Sequence, residues 1–263
     1  MPRRTSDQLK GRHAIVTGGG GGIGAAIAYA LAVRGARVTV MGRTLSSLRF
    51  VAGALPGARA IVVDVTNQRS VRSAFAKAGP ADVLVNNAGA AESAPFERTS
   101  AALWERMLAV NLTGAFHCTA QVLPRMRAAG WGRIINIAST AAHKGYPYVT
   151  AYCAAKHGLL GFTRALAIET ARTGVTVNAV SPGFTETDLL ADAVQKIVTA
   201  TGRTAEQARA QLLRDMPHGR FVTPVEVAAA VLWFCLPGAG GVTGQARLVD
   251  GSPSPQPLMP AHP

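Results

Sequence analysis

Seven short apolar runs punctuate the chain, at residues 13–18, 37–41, 59–63, 82–85, 133–138, 175–180 and 246–249. They are too short and too evenly apolar for amphipathic helices, and each is followed by turn residues or a cap. That is the pattern of strands buried on both faces of a parallel sheet. Between them the apolar spacing becomes helical, over residues 23–34, 45–54, 68–78, 101–129, 150–172 and 225–236. Thr99 or Ser100 offers an N-cap to the fourth helix, and Thr223 followed by Pro224 opens the last. This alternation predicts an α/β fold, a doubly wound parallel seven-stranded sheet with right-handed crossovers, in a single domain over residues 1–251. Two segments depart from it. Residues 184–217 form a partly helical insertion after the sixth strand, where a substrate lid would sit. Residues 252–263 form a Pro-rich C-terminal tail, expected to be poorly ordered or extended along a partner subunit.

Composition narrows the class. With 48% hydrophobic residues in 263, the chain has enough apolar surface for a sizeable core. No apolar run approaches the roughly 18–20 residues of a membrane span, and no apolar stretch follows Arg3 and Arg4 as a signal peptide requires, so no membrane partner is expected. Cys118, Cys153 and Cys235 are odd in number and widely spaced, which fits a reducing cytoplasm better than a disulfide framework. The six histidines show no metal-ligand spacing, so no metal is expected. A net charge of +13 would suit a nucleic-acid binder, but most of the arginines are scattered singly, the densest runs being only residues 2–4 and 123–127, and nucleic acid is not expected as a partner.

Chemistry begins at the first strand's end. Thr17-Gly18-Gly19-Gly20-Gly21-Gly22-Ile23-Gly24 joins that strand to the first helix, where backbone approaches a pyrophosphate and the helix N-terminus offers free N–H groups. Gly18, Gly22 and Gly24 are the candidates in this Rossmann-type loop. The second strand runs into Gly42-Arg43-Thr44, lacking the carboxylate that would repel a 2′-phosphate. A guanidinium beside Thr44 suits that phosphate, so NADP(H) is favoured, with NAD(H) possible, although a solvent-facing Arg43 is the plain alternative. Asp64 and Val65 end the third strand, where they would hold the adenine; a turn-forming Asp64 is the alternative.

Tyr152 and Lys156 are spaced i, i+4 at a helix start and so share a face. A nearby ammonium favours the phenolate, bringing the tyrosine pKa down toward the working range. Ser139, just past the fifth strand, is placed to bond the same substrate oxygen. Tyr29, Tyr146 and Tyr148 have no lysine four residues on, so Tyr152 stands apart. Cys153 and His157 beside it read as helix packing.

From residue 11 to 251 the chain resembles the short-chain dehydrogenase/reductase family. The resemblance rests on Thr17-Gly18-x-x-x-Gly22-Ile23-Gly24, Asn86-Asn87-Ala88-Gly89, Asn111, Ser139, Tyr152-x-x-x-Lys156 and Pro182-Gly183. It implies that Asn87, Ala88 and Gly89 stabilise the sheet beside the cofactor, and that Asn111 kinks the long fourth helix and holds a water relaying protons from Lys156. Tyr152 would be the acid in reduction and the base in oxidation, Ser139 would position the carbonyl, and Lys156 would also bind the nicotinamide ribose. Pro182 and Gly183 would shape the nicotinamide pocket, with Thr185 and Thr187 contacting its amide or phosphate. The family also implies a homotetramer, with helices 101–129 and 150–172 at one interface and the last helix and strand at another. Asp250-Gly251-Ser252 departs from the family's usual Asp-Gly-Gly, which touches only the C-terminal conformation.

Substrate choice falls to the loops 90–96, 140–149 and 184–217, whose Phe96, Tyr146, Tyr148, Phe184, Leu189 and Leu190 provide for a carbon chain or ring. Residues 202–209 and 218–221 resemble members acting on 3-hydroxyacyl thioesters or 3-hydroxybutyrate. Lys144, Arg203, Arg209 and Arg214 would meet an acyl carrier's phosphates, or are plain surface cations. The reading is an NADP(H)-preferring reductase of a 3-oxoacyl thioester or similar ketone, run reversibly. Its rivals are an NAD-dependent 3-hydroxyacyl, 3-hydroxybutyrate or secondary-alcohol dehydrogenase, and a catalytically silent dinucleotide sensor or scaffold.

Overall fold

Strands apolar at every position need cover on both faces, and the helices between them provide it. The structure, a computed structural model, describes residues 7–252; the tail expected over 252–263 lies, apart from Ser252, outside the described residues. Strands β1 (His13–Thr17), β2 (Arg37–Gly42), β3 (Arg59–Val62), β4 (Val83–Asn86), β5 (Gly132–Ile137), β6 (Val175–Pro182) and β7 (Ala246–Val249) form one parallel sheet. Their order is β3-β2-β1-β4-β5-β6-β7, so the direction of winding reverses between β1 and β4. The crevice outside the carboxyl ends of the strands at that reversal is where such sheets bind ligands. All seven sequence-predicted strands are present.

Period-two alternation divides the core. Ala14 and Val16 face one layer, with α1 (Gly22–Val33), α2 (Leu45–Gly53) and α9 (Pro224–Cys235), where Ile27, Leu31, Val227, Val231 and Phe234 are buried. Ile15, between them, faces the other layer, with α3 (Gln68–Ala78), α5 (Gly114–Ala128) and α6 (Thr150–Thr170), represented by Val71, Phe75, Cys118, Val122 and Leu166.

The stretch expected as one helix over 101–129 is three pieces: α4 (Ala101–Leu108), a π turn (Ala109–Thr113), and α5. Ser100 caps α4 through its hydroxyl, which accepts from Leu103 N at 3.2 Å. Within the π turn, Asn111 turns its amide back onto Met107 O at 3.0 Å, so the side chain satisfies a carbonyl that regular helical bonding would have paired with backbone. The 184–217 insertion folds as α7 (Asp188–Thr201) and α8 (Ala205–Leu213), separated by left-handed Gly202 and a Thr204/Gln207 capping box. Its ends are tied by paired backbone bonds, Glu186 N to Val222 O and Val222 N to Phe184 O, each 2.9 Å. Thr223 then opens α9 with a second capping box, reciprocated by Glu226.

Candidate active site

The loop after β1 and the loop after β4 are locked together at the reversal point. Thr17 Oγ1 accepts from the backbone N–H groups of Asn87 (3.0 Å) and Ala88 (3.1 Å), while Asn87 Nδ2 donates to the carbonyls of Thr17 (3.0 Å) and Gly18 (3.1 Å). Such closeness requires glycine. A Cβ on Gly24 would sit 2.2 Å from Gly18 O, and one on Gly18, whose φ is +64°, would sit 2.8 Å from Asn87 Nδ2. α1 begins at Gly22 with no side-chain cap and no acid in its first turn, leaving its N–H groups for an anion. Half-buried Ile23 packs against the core beneath this turn. Glycine surface, uncapped helix and crevice fit the diphosphate of a dinucleotide.

Beyond β2, Arg43 is exposed and no hydrogen bond or ion pair engages it among the described residues. Thr44 precedes α2 without capping it through its side chain. Ser47, which sequence reasoning missed, donates to Thr44 O at 3.0 Å, and a Cβ on Gly20 would lie 2.6 Å from its hydroxyl. It thus faces the glycine loop; a serine in a helix's first turn carries no sequence signal for that. Asp64 Oδ1 accepts from Thr66 N (3.0 Å) and Thr66 Oγ1 (2.7 Å), closing a turn of its own, and Val65 is buried.

Across the crevice, Ser139, Tyr152, Lys156 and Asn111 come together. Ser139 precedes a short 3₁₀ turn (Thr140–Ala142) and accepts from Ala141 N at 3.1 Å. Tyr152, half-buried in the first turn of α6, has the Ser139 hydroxyl near enough to pull its pKa down. One turn on, Lys156 is 5% exposed; its Nζ lies 5.6 Å from the Tyr152 ring centroid and donates to Ile137 O at 2.8 Å. Asn111 Nδ2 donates to Ala90 O at 2.8 Å, and its Oδ1 accepts from Ala90 N at 3.3 Å. Gly89 is the thin wall between: a Cβ there would stand 2.9 Å from Asn111 Oδ1 and 3.7 Å from Lys156 Nζ.

One expectation is corrected here. The lysine was expected to lower the tyrosine pKa, yet burial pushes Tyr152 up to about 12, outweighing the downward pull of the Ser139 hydroxyl. Burial also lowers Lys156 to about 8. The ammonium is aimed at Ile137 O rather than at the phenol, so desolvation wins over charge.

The far wall comes from β6 and the insertion. Pro182 ends β6, and a Cβ on Gly183 would meet Met216 Cε at 2.8 Å and Asp250 Cβ at 3.0 Å. Thr185 is buried and donates to Gly183 O at 3.0 Å. Thr187 donates to Thr185 O at 3.2 Å, and its methyl lies 3.0 Å from where a Gly22 Cβ would be, so the root of the insertion rests on the glycine loop. Sequence reasoning named both threonines without foreseeing that contact. Of the cations considered for a carrier, Arg209 pairs with Glu186 at 2.6 Å, Arg203 bonds Gln211, and Lys144 lies over the Tyr146 ring at 4.9 Å. Cys118 and Cys235 are buried with thiols pushed up to about 12 by desolvation. No cluster of three His, Cys, Asp or Glu residues suited to a metal occurs among the described residues, and no described helix is long and apolar enough to cross a membrane.

This geometry meets a known one. The model of the family described as short chain dehydrogenase matches residues 12–197. The chain belongs to the short chain dehydrogenase family. It is therefore an oxidoreductase acting on secondary alcohol and ketone groups. It is 40% identical over 252 residues to the D-beta-hydroxybutyrate dehydrogenase of Cupriavidus necator, covering 92% of this chain and 98% of the relative. It is 41% identical over 248 residues to a putative ketoacyl reductase of Streptomyces coelicolor, covering 90% and 95%. Among solved structures it superposes on a variant of actinorhodin polyketide ketoreductase crystallised with NADPH, with a TM-score of 0.86, 40% identity, and coverage of 91% and 96%.

Proposed function

We propose that this short chain dehydrogenase reversibly reduces a 3-oxoacyl thioester or similar neutral ketone to the secondary alcohol, with NADP(H) preferred over NAD(H). The observation that carries this reading is Tyr152, with the Ser139 hydroxyl beside it and buried Lys156 one turn on, set across the crevice from an uncapped glycine-loop helix. The nicotinamide cofactor would supply the hydride. Gly18, Gly22, Ile23 and Gly24 would receive its diphosphate, and Arg43 and Thr44 the 2′-phosphate. Asp64 and Val65 would flank the adenine, with Asn87, Ala88 and Gly89 as floor. Pro182, Gly183, Thr185 and Thr187 would wall the nicotinamide, and Lys156 would hold its ribose.

Ser139 donates a hydrogen bond to the substrate oxygen and Tyr152 gives it a proton as negative charge develops there. The raised pKa keeps Tyr152 protonated at neutral pH, ready as an acid. The Lys156 ammonium then stabilises the phenolate, and Asn111, beyond Gly89, holds the entry for the returning proton. Oxidation reverses these roles. Removing the phenol in Tyr152→Phe should lower ketone reduction by about 10²–10⁴-fold with NADPH binding retained; a fully active variant overturns the assignment, and a wild-type chain that binds NADPH but reduces no ketone would be a sensor. Cofactor choice is read from kcat/KM with NADPH and NADH, before and after Arg43→Ala. An NADH preference in the wild type overturns the phosphate role of Arg43.

We also take the molecule as one dinucleotide-binding domain carrying its lid at residues 184–217, assembled as a homotetramer and placed in a reducing cytoplasm. Trp104, Phe116 and Ile168 are 38%, 52% and 80% exposed on α4, α5 and α6, and Trp233 is 45% exposed on α9, apolar surface consistent with interfaces there. Sedimentation equilibrium tests the assembly.

A further inference from the structure

Between Ser139 and Tyr152 the chain runs along the carboxyl edge of the sheet, and there it does something unfavourable. Tyr148 has φ +67°, and among the described residues it is the one non-glycine residue with positive φ. The left-handed region crowds a Cβ against the following carbonyl and is an outlier for a bulky side chain. Tyr148 is held in it by its carbonyl, which accepts from Ala94 N at 2.8 Å and so ties the 140–149 loop to the 90–96 loop.

The fold draws nothing from the side chain in return. The ring is 62% exposed, and no hydrogen bond or ring contact engages it among the described residues. Its neighbour Tyr146 behaves oppositely: its hydroxyl bonds Thr140 at 3.0 Å, and its ring meets Phe184 edge-on at 6.4 Å, joining this loop to the base of the lid. A position that strains the backbone and leaves an aromatic ring unused is one where function explains the residue better than stability. Phe96, 72% exposed, extends the aromatic rim two residues past the Ala94 bond.

Charge on the two tied loops agrees. In the loops 90–96 and 140–149 the single cation, Lys144, sits over the Tyr146 ring, and the single anion, Glu92, pairs with Arg106 at 2.7 Å. Neither loop holds a free cation for a substrate carboxylate.

We propose that Tyr148 is a specificity-determining residue whose ring is the platform for the part of the substrate beyond the carbonyl, so that the site prefers a neutral ketone bearing a ring to a short oxo acid. This rests on the reading of Ser139, Tyr152 and Lys156 as a ketone-reducing site. The experiment compares kcat and KM for α-tetralone, ethyl acetoacetate and acetoacetate in the wild type, Tyr148→Phe, Tyr148→Gly and Tyr148→Asn, with cofactor affinity and Tm measured on each.

Glycine and asparagine accept the left-handed backbone, so both variants should keep wild-type cofactor binding with Tm unchanged or raised. For both, kcat/KM on α-tetralone should fall about tenfold or more, chiefly through KM, while ethyl acetoacetate changes less than about twofold. Tyr148→Phe should retain α-tetralone activity, because the platform is the ring and not the hydroxyl. Wild-type preference for acetoacetate, or an equal change on both neutral ketones, overturns the proposal. A Tm loss in both variants would show the ring to be structural and overturn it too. A wild-type enzyme that reduces none of the three overturns the ketone-reducing reading itself.

Discussion

Lys156 shows how burial sets the chemistry of a single residue. With one carbonyl partner and almost no exposure, its ammonium holds its proton only below about pH 8. Tyr152 stays protonated far above that. In the proposed mechanism both groups are in the state reduction needs below about pH 8, and above it the cation that would offset the phenolate is lost. The kcat/KM for ketone reduction should therefore be level from pH 6 to 7 and decline above about 8, which a pH–rate profile checks. Gly24 is the other residue whose role is geometric. Its missing Cβ would strike Gly18 O, a backbone atom that cannot move without opening the loop. Gly24→Ala should cost about 2 kcal/mol in denaturant unfolding and weaken dinucleotide binding in a titration. Glycine at this spot was legible from the motif; its collision partner was not, because that depends on how the β1–α1 turn doubles back to set Gly18 O against Gly24.

At the scale of elements, β1 and the π turn each contain a buried polar group with an assigned partner. His13, first in β1, gives its Nδ1 proton to Pro80 O at 2.5 Å and pairs its Nε2 with Thr39 Oγ1 at 2.8 Å. Burial lowers its pKa below 6.5, assisted by Arg37, against the raising effect of the Pro80 bond. Between that lowered pKa and 6.5 the unfolded chain binds more protons than the folded one. Stability should be full above pH 6.5 and decline as pH falls through that window. Urea unfolding of the wild type and His13→Gln across pH 5 to 7.5 should show the decline in the former and a flatter curve in the latter. Asn111 ties the π turn to its surroundings, taking Met107 O and pairing with both backbone groups of Ala90. Asn111→Ala removes these bonds and should cost about 1–3 kcal/mol, measured by the same unfolding. The apolar periodicity located every strand, yet it passed through the π turn unbroken, since a turn of slightly different pitch still keeps its apolar residues facing inward.

Across the whole molecule the charge is less evenly spread than single arginines imply. Residues 8–81 carry ten Lys and Arg against one acid, Asp64, and this segment builds β1 to α3, the half of the sheet carrying the glycine loop and Arg43. Some of these cations serve the amino edge, where helices end: Arg59 donates to Lys77 O at 3.0 Å and Ala78 O at 3.4 Å, closing α3. Arg43 and Arg69 lie at the carboxyl edge instead, in the loop after β2 and the first turn of α3. A positive half should gather the more anionic dinucleotide, so raising salt from 20 to 300 mM should increase KM for NADPH more than for NADH in steady-state assays. By itself the sequence determined the strand order's raw material, the parallel doubly wound class, the glycine loop and the family, because these rest on local periodicity and on positions that only one residue type tolerates. Tertiary structure alone decided that Tyr152 is raised rather than lowered, that Thr187 rests on Gly22, and that Arg209 is taken up by Glu186. Desolvation and contact between segments far apart in the chain depend on packing, which no local pattern encodes.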